Sequence, residues 1–213
     1  MKFWFLVNII SGLLIIVPAF AAFSRLKTIW PSFLPFVIIL WAGFFNELAG
    51  LILIYQTGNN TALYNIAGLV YGLLILWQFG RWKMMGRFSL LQWNALIFIC
   101  VWVITLFYEG LNGSYTFFIL LRAFCIVAFS YHALYMRIQK VQHFVYRDAI
   151  AIISASWLLL FIYDGIKELL LAYSAQPNTP ALFFIQPFFS IINILVQVVH
   201  LYAILCMPPK APC

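Results

Sequence analysis

Residues 62–80, ALYNIAGLVYGLLILWQFG, run into RWKMMGR at 81–87 and then into SLLQWNALIFICVWVITLFY at 89–108. Two apolar runs, each close to the roughly 20 residues a helix needs to cross about 30 Å of hydrocarbon, therefore meet at a short connection carrying Arg81, Lys83 and Arg87. The pattern recurs along the chain. Apolar runs are expected to form spans at 3–22, 33–55, 62–80, 89–108, 115–136, 149–173 and 182–206, and the basic residues fall at one end of alternate runs. Arg25 and Lys27 lie in the first connection, Arg81, Lys83 and Arg87 in the third, Arg137, Lys140 and Arg147 in the fifth, and Lys210 in the tail, whereas 56–60, 109–114 and 174–179 contain no Lys or Arg. Basic residues are retained on the cytoplasmic side, so this asymmetry predicts an N-terminus outside and a C-terminus in the cytoplasm. The fold class expected is an all-α, polytopic integral membrane protein. It forms one seven-helix bundle, in a plasma or inner membrane.

Composition agrees. Hydrophobic residues make up 66% of the 213 and charged residues 8%, at a mean hydropathy of +1.03, which leaves no stretch for a second, soluble domain. The formal charge of +7 is a topological signal here, and no nucleic-acid partner is expected from it. Trp30, Trp82, Tyr55, Tyr115 and Tyr173 sit near span ends, as an interfacial aromatic belt requires. Lys2, an apolar stretch and Ala19-Phe20-Ala21 resemble a secretory signal with its cleavage site. Cleavage would put Arg25 and Lys27 outside and invert every later loop against the basic bias, so the first span is expected to be retained.

Several activities lack their chemistry. There is no H-E-x-x-H, no G-x-S-x-G, no glycine-rich phosphate loop and no paired-cysteine motif, so neither an enzyme nor a cofactor is expected. Cys100, Cys125 and Cys206 lie in or at the edge of spans without metal-ligand spacing, and Cys213 is terminal. His132 and His200, near the cytoplasmic ends of their spans, have no carboxylate at their depth and are not expected to hold a metal. A retinal protein is not expected, because Lys167 is the lone lysine within any span and belongs to the sixth, not the seventh.

The candidate functional residues are the charges inside the spans, each of which costs about 2.5–3.5 kcal/mol at a helix centre unless paired or hydrated. They are Glu47, Arg122, Asp164, Lys167 and Glu168. Counted from the non-cytoplasmic ends at 1.5 Å per residue, Glu47 lies about 12 Å deep, Arg122 about 10 Å and Asp164 about 14 Å, which places three helices' charges in one layer. Glu47 and Asp164 are expected to flank Arg122, with Lys167 one turn from Asp164; Lys167 and Glu168 could instead snorkel to the interface. Three acids and two bases exceed what an ion-pair clamp between helices needs. A polar cavity for a small polar or zwitterionic solute, or for protons, is the second reading. Gln186, Ser190, Asn193, Gln197 and His200 form a stripe on one face of the last span, either as hydrogen-bonding glue or as a hydrated track. Asn8 and Ser11, the run Gly43, Glu47 and Gly50, the run Tyr64, Gly68, Tyr71 and Gln78, and Arg122, Cys125, Phe129 and His132 form weaker stripes consistent with that interior. The fourth span is the least polar and is expected at the periphery.

Residues 136–148, MRIQKVQHFVYRD, mix basic and apolar side chains, so the loop with His143 can lie on an anionic lipid surface or dock a protein partner. Partners expected are thus membrane lipid, a small polar solute and a cytoplasmic or membrane protein. Three function classes follow: a solute binder or carrier, a heptahelical sensor or signalling subunit, and an oligomeric pore-forming or structural subunit. For the topology, reporter fusions are expected to place the 56–60 loop outside and residue 210 inside. A cytoplasmic 56–60 loop would overturn the orientation.

Overall fold

A computed structural model describes residues 2–29, 31–83, 88–140, 145–173 and 180–208, with side chains over 6–29, 31–83, 90–139, 146–172 and 187–208. Trp30, Arg87, His143, Lys210, Cys213 and the 174–179 connection lie outside the described residues, as do the side chains of Tyr173 and Gln186. The helices are α1 (Lys2–Leu13), α2 (Ile16–Ser24), α3 (Leu34–Thr57), α4 (Thr61–Arg81), α5 (Phe88–Glu109), α6 (Thr116–Lys140), α7 (Ala149–Tyr173) and α8 (Pro180–Cys206). Seven helical stretches among these, with α1 and α2 together forming the first, are long and apolar enough to cross a membrane.

Six of the seven match the expected spans to within a few residues. The first does not: the run expected as one helix over 3–22 breaks at Leu14 and Ile15. Pro18 is the physical cause, because it has no N–H to give the Leu14 carbonyl and its ring crowds that oxygen. The chain compensates with a bond from the Val17 N–H to the Leu14 carbonyl, 3.0 Å, before Ala19 resumes the α-helical pattern onto Ile15. At the turns, Gly58 (φ 72°) and Gly110 (φ 67°) take the left-handed conformation that ends α3 and α5 without a Cβ clash.

Neighbouring helices pack in chain order, and α1 and α2 close the ring against α8. The helix α5 packs against α4 and α6 and is the least buried of the seven stretches, at the edge of the bundle. Polarity is inside out. Ser11, Gln78, Ser154, Ser190, Gln197 and His200 are buried, while Phe107, Phe117, Phe124 and Leu205 point outward. A helix that turns its apolar side chains out and its polar ones in suits hydrocarbon surroundings.

Specific polar ties hold the helices. At the end carrying Arg25, Arg81 and Arg137, termed the basic end, Asp148 accepts the Ile150 and Ala151 N–H groups as an N-cap. Arg137 of α6 bonds the same carboxylate through Nε at 2.7 Å. Arg25 donates to the Ile204 carbonyl, satisfying one of the last free carbonyls of α8. At the opposite end Asn65 of α4 donates to the Leu111 and Gly113 carbonyls, and the Trp102 indole donates to the Asn65 carbonyl.

Gln78, wholly buried, makes a further pair of these ties. Its Oε1 accepts the Phe36 N–H at 2.7 Å and its Nε2 donates to the Ser32 carbonyl at 2.6 Å. The first turn of α3 has no side-chain cap from Phe33, so a residue of α4 supplies the acceptor that an N-cap would otherwise give. Gln78→Leu leaves that buried N–H unsatisfied and is expected to cost about 1–3 kcal/mol. The check is a lowered thermal unfolding midpoint in detergent micelles, with outward-facing Leu195→Ala as the unaffected comparison.

Candidate functional site

A cavity of about 590 Å³ runs between α1, α3, α4, α6, α7 and α8. On α8 it is lined from Phe189 to His200, a rise of about 16 Å at 1.5 Å per residue. Asn60, at the start of α4, marks its upper edge, at the end opposite the basic one.

The charged layer assembles on its wall. Arg122 of α6 pairs with Asp164 of α7 at 3.1 Å, and Lys167 pairs with the other oxygen of the same carboxylate at 2.9 Å. Aromatic rings hold both cations: Phe118 and Phe161 lie 6.0 and 5.7 Å from the guanidinium carbon, and Phe189 lies 4.7 Å from the Lys167 Nζ. Gly68 makes room for the guanidinium, since a Cβ there would stand 2.7 Å from Arg122 Nη1. The arginine therefore lies directly against the α4 backbone.

Glu47 departs from the expected arrangement. The ion-pair partners of Arg122 do not include it, and its one hydrogen-bond partner among the described residues is the Tyr64 hydroxyl at 3.1 Å. Its carboxylate instead rests on α1, where a Cβ on Gly12 would meet Oε2 at 2.8 Å. Depth alone put Glu47 and Arg122 in one layer, but the rotation of α3 turns the carboxylate toward α1 and α4. Snorkelling is likewise replaced by pairing: Lys167 is held by Asp164, and Glu168 is buried with Oε1 accepting the Thr116 hydroxyl at 2.7 Å.

The stripe of α8 divides by role. Ser190 donates to Asn8 Oδ1 at 3.3 Å, a tie between α8 and α1. Asn193, Gln197 and His200 line the cavity, with Gln197 Nε2 donating to Asn193 Oδ1 at 3.2 Å. Gln197 Oε1 and both His200 ring nitrogens are buried without a hydrogen-bond partner. His200 is 4% exposed and meets the Phe36 ring edge to face at 5.2 Å. Below it, Phe36, Phe79, Trp82 and Trp157 pack ring on ring at 5.4–6.1 Å toward the basic end. The cavity thus has a charged upper wall, an imidazole near its bottom and an aromatic floor.

Asn46, Tyr71, Trp157 and Phe189 also line it. Of these, Tyr71 belonged to a weak stripe, while Asn46 was marked only by adjacency to Glu47 and the rings were indistinguishable from core. His132 does not join His200, and among the described residues no three His, Cys, Asp or Glu side chains gather as metal ligands would. No protein-family model matches the chain, nor does any curated protein or solved structure.

The shared carboxylate makes the three charges unequal. Asp164→Asn strands two cations at once, whereas Arg122→Met leaves Asp164 its bond to Lys167. Removing a partner from a buried pair costs about 3–5 kcal/mol, and Asp164→Asn is expected to reach that range while Arg122→Met falls short of it. Equilibrium unfolding in mixed micelles measures both, and equal losses would contradict the sharing.

Proposed function

We propose that this chain is an integral membrane protein that binds a small polar solute in the interhelical cavity, entered from the non-cytoplasmic side, with the basic end in the cytoplasm. The observation that carries the reading is the cavity itself. A bundle that needed its charges only as a clamp would close over Asp164, Arg122 and Lys167, yet here they border a space of about 590 Å³, within the range of small-molecule sites. Buried polar groups at its bottom, Gln197 Oε1 and the His200 nitrogens, are groups for which a bound solute or water supplies the missing partners. Orientation rests on the basic residues of alternate connections.

A sensor is favoured over a carrier by one feature, the aromatic floor. Phe36, Phe79, Trp82 and Trp157 seal the path between His200 and the basic end, so a solute that enters has no polar route onward in this conformation. In the sensor reading the solute changes the packing of that floor, and the basic loops pass the change to a protein partner. A carrier instead opens the floor in another state.

Single cysteines in a background lacking the native ones test both points. Positions 193 and 197 are expected to react with a membrane-impermeant thiol reagent added from the non-cytoplasmic side, position 190 more slowly because it packs on Asn8, and outward-facing position 195 not at all. Silence at 193 and 197 would remove the open cavity. Labelling at position 157 from the cytoplasmic side, appearing with solute, marks a carrier; protection there under every condition marks a sensor.

A further inference from the structure

The charges around the cavity do not balance. With all ionised, Glu47, Asp164 and Glu168 against Arg122 and Lys167 leave one negative charge, and among the described residues Asp164 is the carboxylate that pairs with both cations. Glu168 is turned onto Thr116. Glu47 is the carboxylate that lines the cavity without an ion pair: it has a phenol for a partner, no cation within ion-pair reach among the described residues, and Gly12 packed against it. Beside it Asn46 Oδ1 and the Tyr71 hydroxyl are buried without partners. A carboxylate, an unpartnered amide oxygen and two phenol oxygens form a pole rich in acceptors, and no cation pairs with its carboxylate among the described residues.

The second pole lies deeper. Gln197 is 6% and His200 4% exposed, both line the cavity, and Gln197 Oε1 and the imidazole nitrogens lack partners. From Phe36, which touches His200, Glu47 is eleven residues along α3, about 16 Å at 1.5 Å per residue. Between the poles the wall is largely aromatic and aliphatic, with Ile75, Leu160 and Phe161.

Resting on the solute-binding reading above, we propose that the solute is an organic amine, whose ammonium pairs with Glu47 and whose far end carries a hydroxyl or similar group that meets Gln197 and His200. An ammonium gives that carboxylate a cation and offers donors to the Asn46 and Tyr71 oxygens, which lack them. The far hydroxyl does the same for an acceptor and an imidazole that can either give or take a proton. An anion at this pole would sit against Glu47, a carboxylate with no cation in ion-pair reach among the described residues.

Calorimetric titration of the full chain in nanodiscs tests this with tyramine and 6-aminohexanol, against 4-ethylphenol as the neutral probe and 3-(4-hydroxyphenyl)propanoate as the anion. Both amines are expected to bind and the other two not. Phenethylamine, lacking the far hydroxyl, is expected to bind about tenfold less tightly than tyramine, consistent with losing a buried hydrogen bond. Glu47→Gln, which keeps the side chain's size and its contact with Tyr64, is expected to weaken tyramine about 100-fold, the scale of a lost buried charge pair, without moving the unfolding midpoint. His200→Phe erases the advantage of tyramine over phenethylamine and leaves phenethylamine unchanged, which a merely structural histidine would not do. Failure of both amines to bind, binding of the anion as tight as that of tyramine, or wild-type affinity in Glu47→Gln overturns the proposal; the last result means that Glu47 carries a proton in place of a partner. With positions 193 and 197 still labelling, such results leave the solute-binding reading standing for another class of solute. Silence at those positions removes both.

Discussion

Asp164 is one carboxylate answering two cations, and the bundle is organised around that shortage. Arg122 reaches it from α6 and Lys167 from one turn along α7, so the α6–α7 pair is bolted at this level. The same two helices are bolted again where Arg137 meets Asp148 at the basic end. The two bridges stand about 23 Å apart at 1.5 Å per residue, and between them neither helix can slide or turn without breaking a charge contact. The constraint spreads outward. Arg122 needs Gly68 beneath it, which draws α4 in, and Lys167 needs Phe189 over it, which draws α8 in. Four helices are placed by the demands of one acid, and the cavity is the volume they leave.

Polar and apolar matter are distributed in that volume along its axis. Charged groups crowd the upper wall, amides follow one turn after another down α8, and rings fill the bottom. Aromatic rings make a floor that aliphatic chains could not. Trp82 and Trp157 stack at 5.7 Å while Phe79 meets both edge to face, and such pairs gain about 0.5–1.5 kcal/mol beyond burial while holding defined angles. The floor is thus rigid in one packing and discrete in its alternatives, which is the property a two-state element requires.

Much of this was legible in the residues before any coordinates. Spans could be bounded because basic clusters interrupt the apolar runs and because 1.5 Å per residue converts length to depth. Depth also put Arg122 beside Asp164. Rotation about the helix axis was not legible, and Glu47 shows the result: it shares a layer with Arg122 but turns to Tyr64. The break at Leu14 and Ile15 had its signal in Pro18, hidden because the residues on both sides are uniformly apolar and the periodicity continues across it. Ser190 and Gln197 belong to one stripe, yet the first is glue to Asn8 and the second faces space, a difference set by which neighbour stands opposite. Thr116, at the start of α6, gave no hint that it would receive Glu168, since the two are 52 positions apart.

The bond from Gln78 to the head of α3 bears on the order in which the chain can be made. In the membrane reading proposed above, α3 enters the bilayer before α4, its Phe36 N–H then has no acceptor of its own, and in hydrocarbon an unsatisfied backbone group is penalised by several kcal/mol. The acceptor is 42 residues later, near the end of α4, so it becomes available only when the next helix has been synthesised almost to completion. Under that reading α3 and α4 settle as a hairpin and not singly. The short turn at Gly58 and the Asn59 cap onto Thr61 favour that hairpin, and translocation machinery would be expected to release the two together.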